Sequence, residues 1–207
     1  MKRIALLLLV PAVLAAPACG DGPSSPGERR QEAASVLEDV PLQEDEVPGR
    51  LEPTEEGTGP IGSLREVLPP RSALPNRPPL PAPLSESFRG GFETVYARGE
   101  EGQGGPASAS SSAIRFSDPG TASSFVAYLR EVQVGAGRGP ARVDVPVGDL
   151  GDEAFGWHLE EPLGEASTIV WRTGDLVLTV SMGGPIETAT PERALGLAQT
   201  MHRRLTS

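Results

Sequence analysis

Asp149, Asp152 and Glu153 lie within Gly148-Asp149-Leu150-Gly151-Asp152-Glu153-Ala154, the most distinctive local string in the chain. Three carboxylates this close could hold a hard cation such as Ca²⁺, or supply a general acid and base. The spacing does not match the EF-hand loop, which alternates its ligands and ends on a distal Glu. A connecting turn is the more economical reading, with Gly supplying positive φ and Asp bonding its own backbone. His158 and His202 are the only histidines. A zinc site would need further ligands, and the chain has no internal cysteine to give them. His202 suits a helix C-terminus, where cations are favoured. His158 alternates with Trp157 and is expected to face solvent. Ser108, Ser110, Ser111 and Ser112 lack a G-x-S-x-G elbow, which argues against a serine hydrolase. Gly102-Gln103-Gly104-Gly105-Pro106 is not followed by Gly-Lys-Ser/Thr, as a phosphate loop would be. Trp157, Trp171 and Tyr96 could line an apolar pocket, but aromatics in a small domain are most often core.

The remaining reactive side chain is Cys19, the single cysteine among 207 residues. Ahead of it stand Lys2 and Arg3, an apolar run from Ile4 to Ala16, and small residues. The run is short for a bilayer span and suits the h-region of a signal peptide. The arrangement resembles a bacterial lipoprotein signal, which implies a signal peptide over 1–18 and lipid modification of Cys19. Pro17 departs from the usual Leu-small-small-Cys pattern. Ala16-Pro17-Ala18 also fits the A-x-A cleavage pattern, so free secretion with an unmodified thiol is the alternative. One cysteine cannot form an internal disulfide, and an exposed thiol is a liability in an oxidising compartment. Lipidation would remove both difficulties.

Lys2 is the only lysine, and loss of residues 1–18 would take the formal net charge from −10 to −12. Such a chain, without a basic cluster, is a poor binder of nucleic acid and of anionic headgroups. Membrane attachment would therefore come from the lipid on Cys19, and several acyl chains hold stably where one does not.

Two compositions divide the polymer. All nine aromatic residues lie at or after Phe88. Residues 19–85 are rich in proline and acids, and read as a lipidated Cys followed by a disordered linker. The segment from Leu68 to Leu84, with seven prolines, should approach polyproline II. Residues 86–207 carry periodic apolar patterns and suffice for one domain. Alternation predicts strands over 91–98, 113–116, 141–147, 154–159, 167–172 and 176–182, with a Gly/Ser-rich loop over 99–112. Pro146 places the third of these at an edge. Asp118-Pro119 predicts a helix to about Val134 with Ala122, Phe125, Leu129 and Val132 buried. Thr190-Pro191-Glu192 predicts a second, burying Ala194, Ala198, Met201 and Leu205. A two-residue turn at Gly174-Asp175 would pair Trp171 with Leu178 and Ile169 with Val180 on one face. The expected fold is α+β: a mostly antiparallel sheet of five to six strands with two helices packed on one face, after a disordered Pro/Glu-rich stalk.

Gly151 to Ala154, Arg172-Thr173-Gly174 and the helix from Pro191 to Leu205 resemble small secreted bacterial lipoprotein domains, many of them actinobacterial. The resemblance covers about 60 residues. It implies an α+β fold in the cell envelope and transfers no catalytic residue. The expectation is a membrane-tethered extracytoplasmic module that binds or senses a small ligand or an envelope protein. It is not expected to be an enzyme or to need a cofactor or metal. The alternatives are a freely secreted protein, a structural envelope component, and an enzyme using acids among Asp149, Asp152 and Glu153.

Overall fold

Gly174, at φ +60°, turns the chain between β7 (Gly164–Thr173) and β8 (Leu176–Gly184). The pairing puts Trp171 opposite Leu178 and Ile169 opposite Val180, in the register the turn chemistry predicts. Near the turn both strands bury apolar side chains on each face: Ile169, Val170 and Trp171 run consecutively and all three are buried, as are Val177 and Leu178. A strand of that kind needs cover on each side.

The computed structural model describes residues 36–48, 51–68, 74, 76–98, 105–135, 142–162 and 164–207. The predicted signal peptide and Cys19 lie outside the described residues. The elements, in order, are a 3-10 turn (Glu44–Glu46), β1 (Leu51–Pro53), β2 (Gly59–Ile61), α1 (Ala82–Ser87), β3 (Phe88–Arg98), β4 (Ser108–Phe116), α2 (Pro119–Gly135), β5 (Arg142–Val145), β6 (Glu153–Glu161), β7, β8 and α3 (Pro191–Thr206). The strands form one antiparallel sheet in the order β1-β3-β4-β8-β7-β6-β5, with β2 pairing β3 beyond β1. The fold is α+β with eight strands, two more than the upper expectation.

The two long helices lie on opposite faces, which corrects the expected single helical face. Ala194, Leu197, Ala198 and Met201 of α3 pack with Ile169, Trp171, Leu178, Val180 and Met182. Ala122, Phe125, Val126 and Val132 of α2 pack with Ile114, Phe116, Val170 and Val177. Residues 177 and 178, or 170 and 171, point to opposite sides of the pleat. Asp118 starts α2 as expected, accepting the Thr121 N–H at 2.8 Å. Those bonds, with the Ser117 hydroxyl, hold its carboxyl below the usual range. Thr190 precedes α3 without a side-chain cap, so Pro191 alone marks that start.

The linker reading of 19–85 is corrected over the described part of it. Leu37, Leu42, Val47 and Leu51 join the α3-side core, while Ile61, Leu64, Leu68 and Leu84 join the α2-side core. This stretch therefore wraps the β3 edge of the sheet on both faces. Polar contacts fix it: the Tyr96 hydroxyl donates to Leu42 O at 2.8 Å, and Leu42 N donates to Ser111 Oγ at 2.8 Å. Arg204 near the end of α3 donates to the carbonyls of Asp39, Val40 and Pro41 and to Glu46. Pro53 and Pro60 are tolerated because β1 and β2 are edge strands. Residues 108–112, expected in a loop, extend β4, because each pairs with β8.

Candidate functional site

The predicted carboxylates do not converge on a ligand. Asp149 stands exposed, and Gly148 and Gly151 take φ of +59° and +67°, as the turn reading requires. Asp152 accepts hydrogen bonds from Arg172 Nη1 at 2.9 Å and Gly174 N at 2.8 Å. Glu153 accepts from the Ser123 hydroxyl at 2.8 Å and lies 3.7 Å from Arg172 Nε. Gly151 is needed for this approach, since a Cβ there would sit 2.3 Å from Arg172 O. Gly151, Asp152, Arg172 and Gly174, which carry the lipoprotein-domain resemblance, thus meet in one latch closing the β7–β8 turn. Among the described residues no group of three or more His, Cys, Asp or Glu could hold a metal ion.

His158 is buried, which corrects its expected solvent position. Its Nδ1 is 2.8 Å from Ser167 Oγ, and its Nε2 is 3.7 Å from carboxylate oxygens of both Glu165 and Glu160. Ser167 is fully buried and donates to Ala189 O at 2.6 Å. The hydroxyl proton is thereby committed, so Ser167 accepts from His158 Nδ1–H. Glu165 also accepts the Ala189 N–H at 2.6 Å. The network fastens the chain entering α3 and presents no accessible nucleophile. His202 lies near the end of α3 as expected, with Nδ1 buried and unpaired among the described residues. Tyr96 and Trp171 are core on the α3 side, and Trp157 is buried on the α2 side.

The site sequence reasoning missed is on the α2 face. α2 covers the apolar end of that face, over Ile114, Phe116 and Val177. The next two rows across the sheet are mostly polar, each ending on an apolar side chain. One runs Glu93, Ser112, Thr179 and Val170; the other runs Ser110, Ser181, Thr168 and Trp157. Between these rows and the helix side chains Phe125, Leu129 and Val132 lies a cavity of about 320 Å³, with Glu66 and Gln133 also lining it. Thr168 and Ser181 bond each other at 3.1 Å. Ser112 is 6% exposed. Neither its hydroxyl nor the half-buried Glu93 carboxylate bonds another described side chain. Burial pushes the Glu93 carboxyl above its ordinary range. The lining has an apolar wall and a polar floor that can both donate and accept, as small-molecule pockets do. The signal available in the sequence was the alternation Ser110, Ser112, Ile114, Phe116, once 108–112 is read as strand.

Three layers, helix, sheet and helix, with a hydroxyl-floored cavity under one helix, define an α+β domain of the pocket-bearing kind. The extracellular domain of PknH from Mycobacterium tuberculosis has a similar fold: TM-score 0.54 at 11% identity, over 83% of this chain and 95% of that one. That coverage exceeds what residues 86–207 could supply, so the likeness includes part of the stretch ahead of them. No family model matches the sequence, and neither does any curated protein. No helix among the described residues is long and apolar enough to cross a membrane.

Proposed function

We propose that this chain is a membrane-tethered extracytoplasmic lipoprotein whose domain binds a small ligand in the cavity between α2 and the sheet. The observation that carries the binding role is the cavity itself, with free hydroxyls and an unpaired acid on its floor. Ligand sites favour this mixture of apolar wall and few convergent polar groups. The tether rests on the leader-like run before Cys19. The fold likeness to a domain described as extracellular supports the same setting. Binding rather than turnover is favoured because Asp152, Glu153 and Ser167 are each committed to structural partners.

Two measurements test this. Intact mass of the membrane-fraction protein should give an N-terminus at Cys19 carrying acyl groups, and Cys19→Ser should be released or unprocessed. An unmodified N-terminus in the soluble fraction would replace the tether with free secretion. For the cavity, thermal melting of the mature chain is compared with Ser110→Phe, which fills the space, against amines, alcohols, saccharides and carboxylates. At least one class should raise the melting temperature of the parent by several degrees and leave the filled variant unmoved. If no compound separates the two proteins, the binding role falls.

A further inference from the structure

The described lining of the cavity carries charge of one sign. Among the described residues, Glu93 and Glu66 are the only ionisable side chains lining the cavity; β4, β7, β8 and α2 bring none. Glu66 is exposed at the rim and already accepts the Gly62 N–H at 2.9 Å. Glu93 has no hydrogen-bond or ion-pair partner among the described residues, and it stands in register beside Ser112. A half-buried carboxylate without a cation costs stability, and folding alone gives no reason to keep one there. A second unpaired group points the same way: Ser112, more than nine-tenths buried, lines the same space with its hydroxyl uncommitted. Among the described residues of the lining, an anionic ligand would meet two carboxylates and no base.

Resting on the ligand-binding role above, we propose that the cavity takes a small organic cation bearing N–H groups, a primary ammonium or a guanidinium. Its charged end pairs with Glu93 and donates to Ser112 and Thr179, while its apolar body lies against Phe125, Leu129 and Val132. A quaternary ammonium is the wrong shape of charge. It needs an open aromatic face, and the Trp157 ring is already stacked on Phe155 at 5.6 Å with the Arg142 guanidinium 5.5 Å from its centroid. The floor instead offers acceptors for N–H donors.

The amine stays charged below its own pKa, so pairing requires ionised Glu93. Affinity should rise with pH through the raised range of Glu93 and then level off, since a bound cation favours the carboxylate. Without ligand, the raised folded-state pKa means stability is lost as pH climbs from the unfolded value through the folded one. Glu93→Gln removes that loss, so the variant should resist denaturant better at neutral pH while binding worse. A residue kept only for structure would not show that opposition.

The experiment is titration calorimetry of the mature chain from pH 5 to 8 with phenethylamine, its N-trimethyl analogue, 2-phenylethanol and phenylacetate. Phenethylamine should bind at least tenfold more tightly than the other three, and Glu93→Gln should weaken it at least tenfold and flatten its pH profile. If the alcohol or the acid binds as tightly as the amine and is lost in Ser110→Phe, the cation assignment is overturned and the cavity keeps its binding role. If the trimethyl analogue equals the amine, the N–H requirement is overturned. If no probe distinguishes the parent from Ser110→Phe, the cation assignment and the binding role fall together.

Discussion

A fragment of residues 86–207 should fail to hold the native fold, while a chain beginning at residue 36 should unfold cooperatively. The excised stretch contributes Leu37, Leu42, Val47, Leu51, Ile61, Leu64, Leu68 and Leu84, all 8% exposed or less. Burying such a side chain is worth roughly 1.5–3 kcal/mol. Eight of them supply about 12–24 kcal/mol before the entropy of ordering the stretch is subtracted, against a typical net domain stability of about 5–15 kcal/mol. Removal also bares both faces of β3, strips the Tyr96 hydroxyl of its acceptor at Leu42 O, and leaves β3 an unprotected edge. Urea unfolding followed by circular dichroism and by dye binding to exposed apolar surface separates the two. The shorter chain should show a broad, weak transition and bind dye. Equal midpoints and equal slopes for both chains would mean that the wrapping stretch contributes nothing to stability.

The same stretch shows why sequence placed the domain boundary too late. Its buried residues are aliphatic and sparse, at 37, 42, 47, 51, 61, 64, 68 and 84; only 61, 64 and 68 keep a helical spacing, too short a run to declare an element among the prolines. Its prolines read as breakers, although edge strands admit them. What sequence does specify is local. The Gly174-Asp175 turn set the register of β7 and β8, and Asp118-Pro119 set the start of α2. The two-sided helical cover was legible in the consecutive Ile169, Val170 and Trp171, which a one-faced sheet has no use for. The candidate site was less legible. Its groups come from β3, β4, β7, β8 and α2, and each is an ordinary Ser, Thr or Glu until the register brings it into line. Glu93 has no neighbour in sequence that marks it; only the absence of a partner among the described residues does.

Trp171 should be the costliest single position in the core, and its volume should matter far more than its polarity. The side chain is fully buried at the centre of the α3-side cluster, opposite Leu178 and beside Gly151, where a Cβ would lie 3.1 Å from its ring. Trp171→Ala should therefore cost about 3–5 kcal/mol, the transfer of an indole plus the cavity it leaves between rigid strands. Trp171→Phe separates the causes. The indole Nε1 is buried without a hydrogen-bond partner among the described residues, and an unsatisfied donor costs about 1–3 kcal/mol. Phenylalanine removes that donor but gives up part of the packing, so the two effects oppose each other. Its net cost should fall well below that of Trp171→Ala, because phenylalanine keeps most of the ring packing and the lost donor offsets part of what is given up. Urea midpoints at constant slope read both variants directly. If Trp171→Phe were as damaging as Trp171→Ala, the Nε1 group would have to be making a hydrogen bond that the described residues do not supply, and the core would be held by a polar contact rather than by packing.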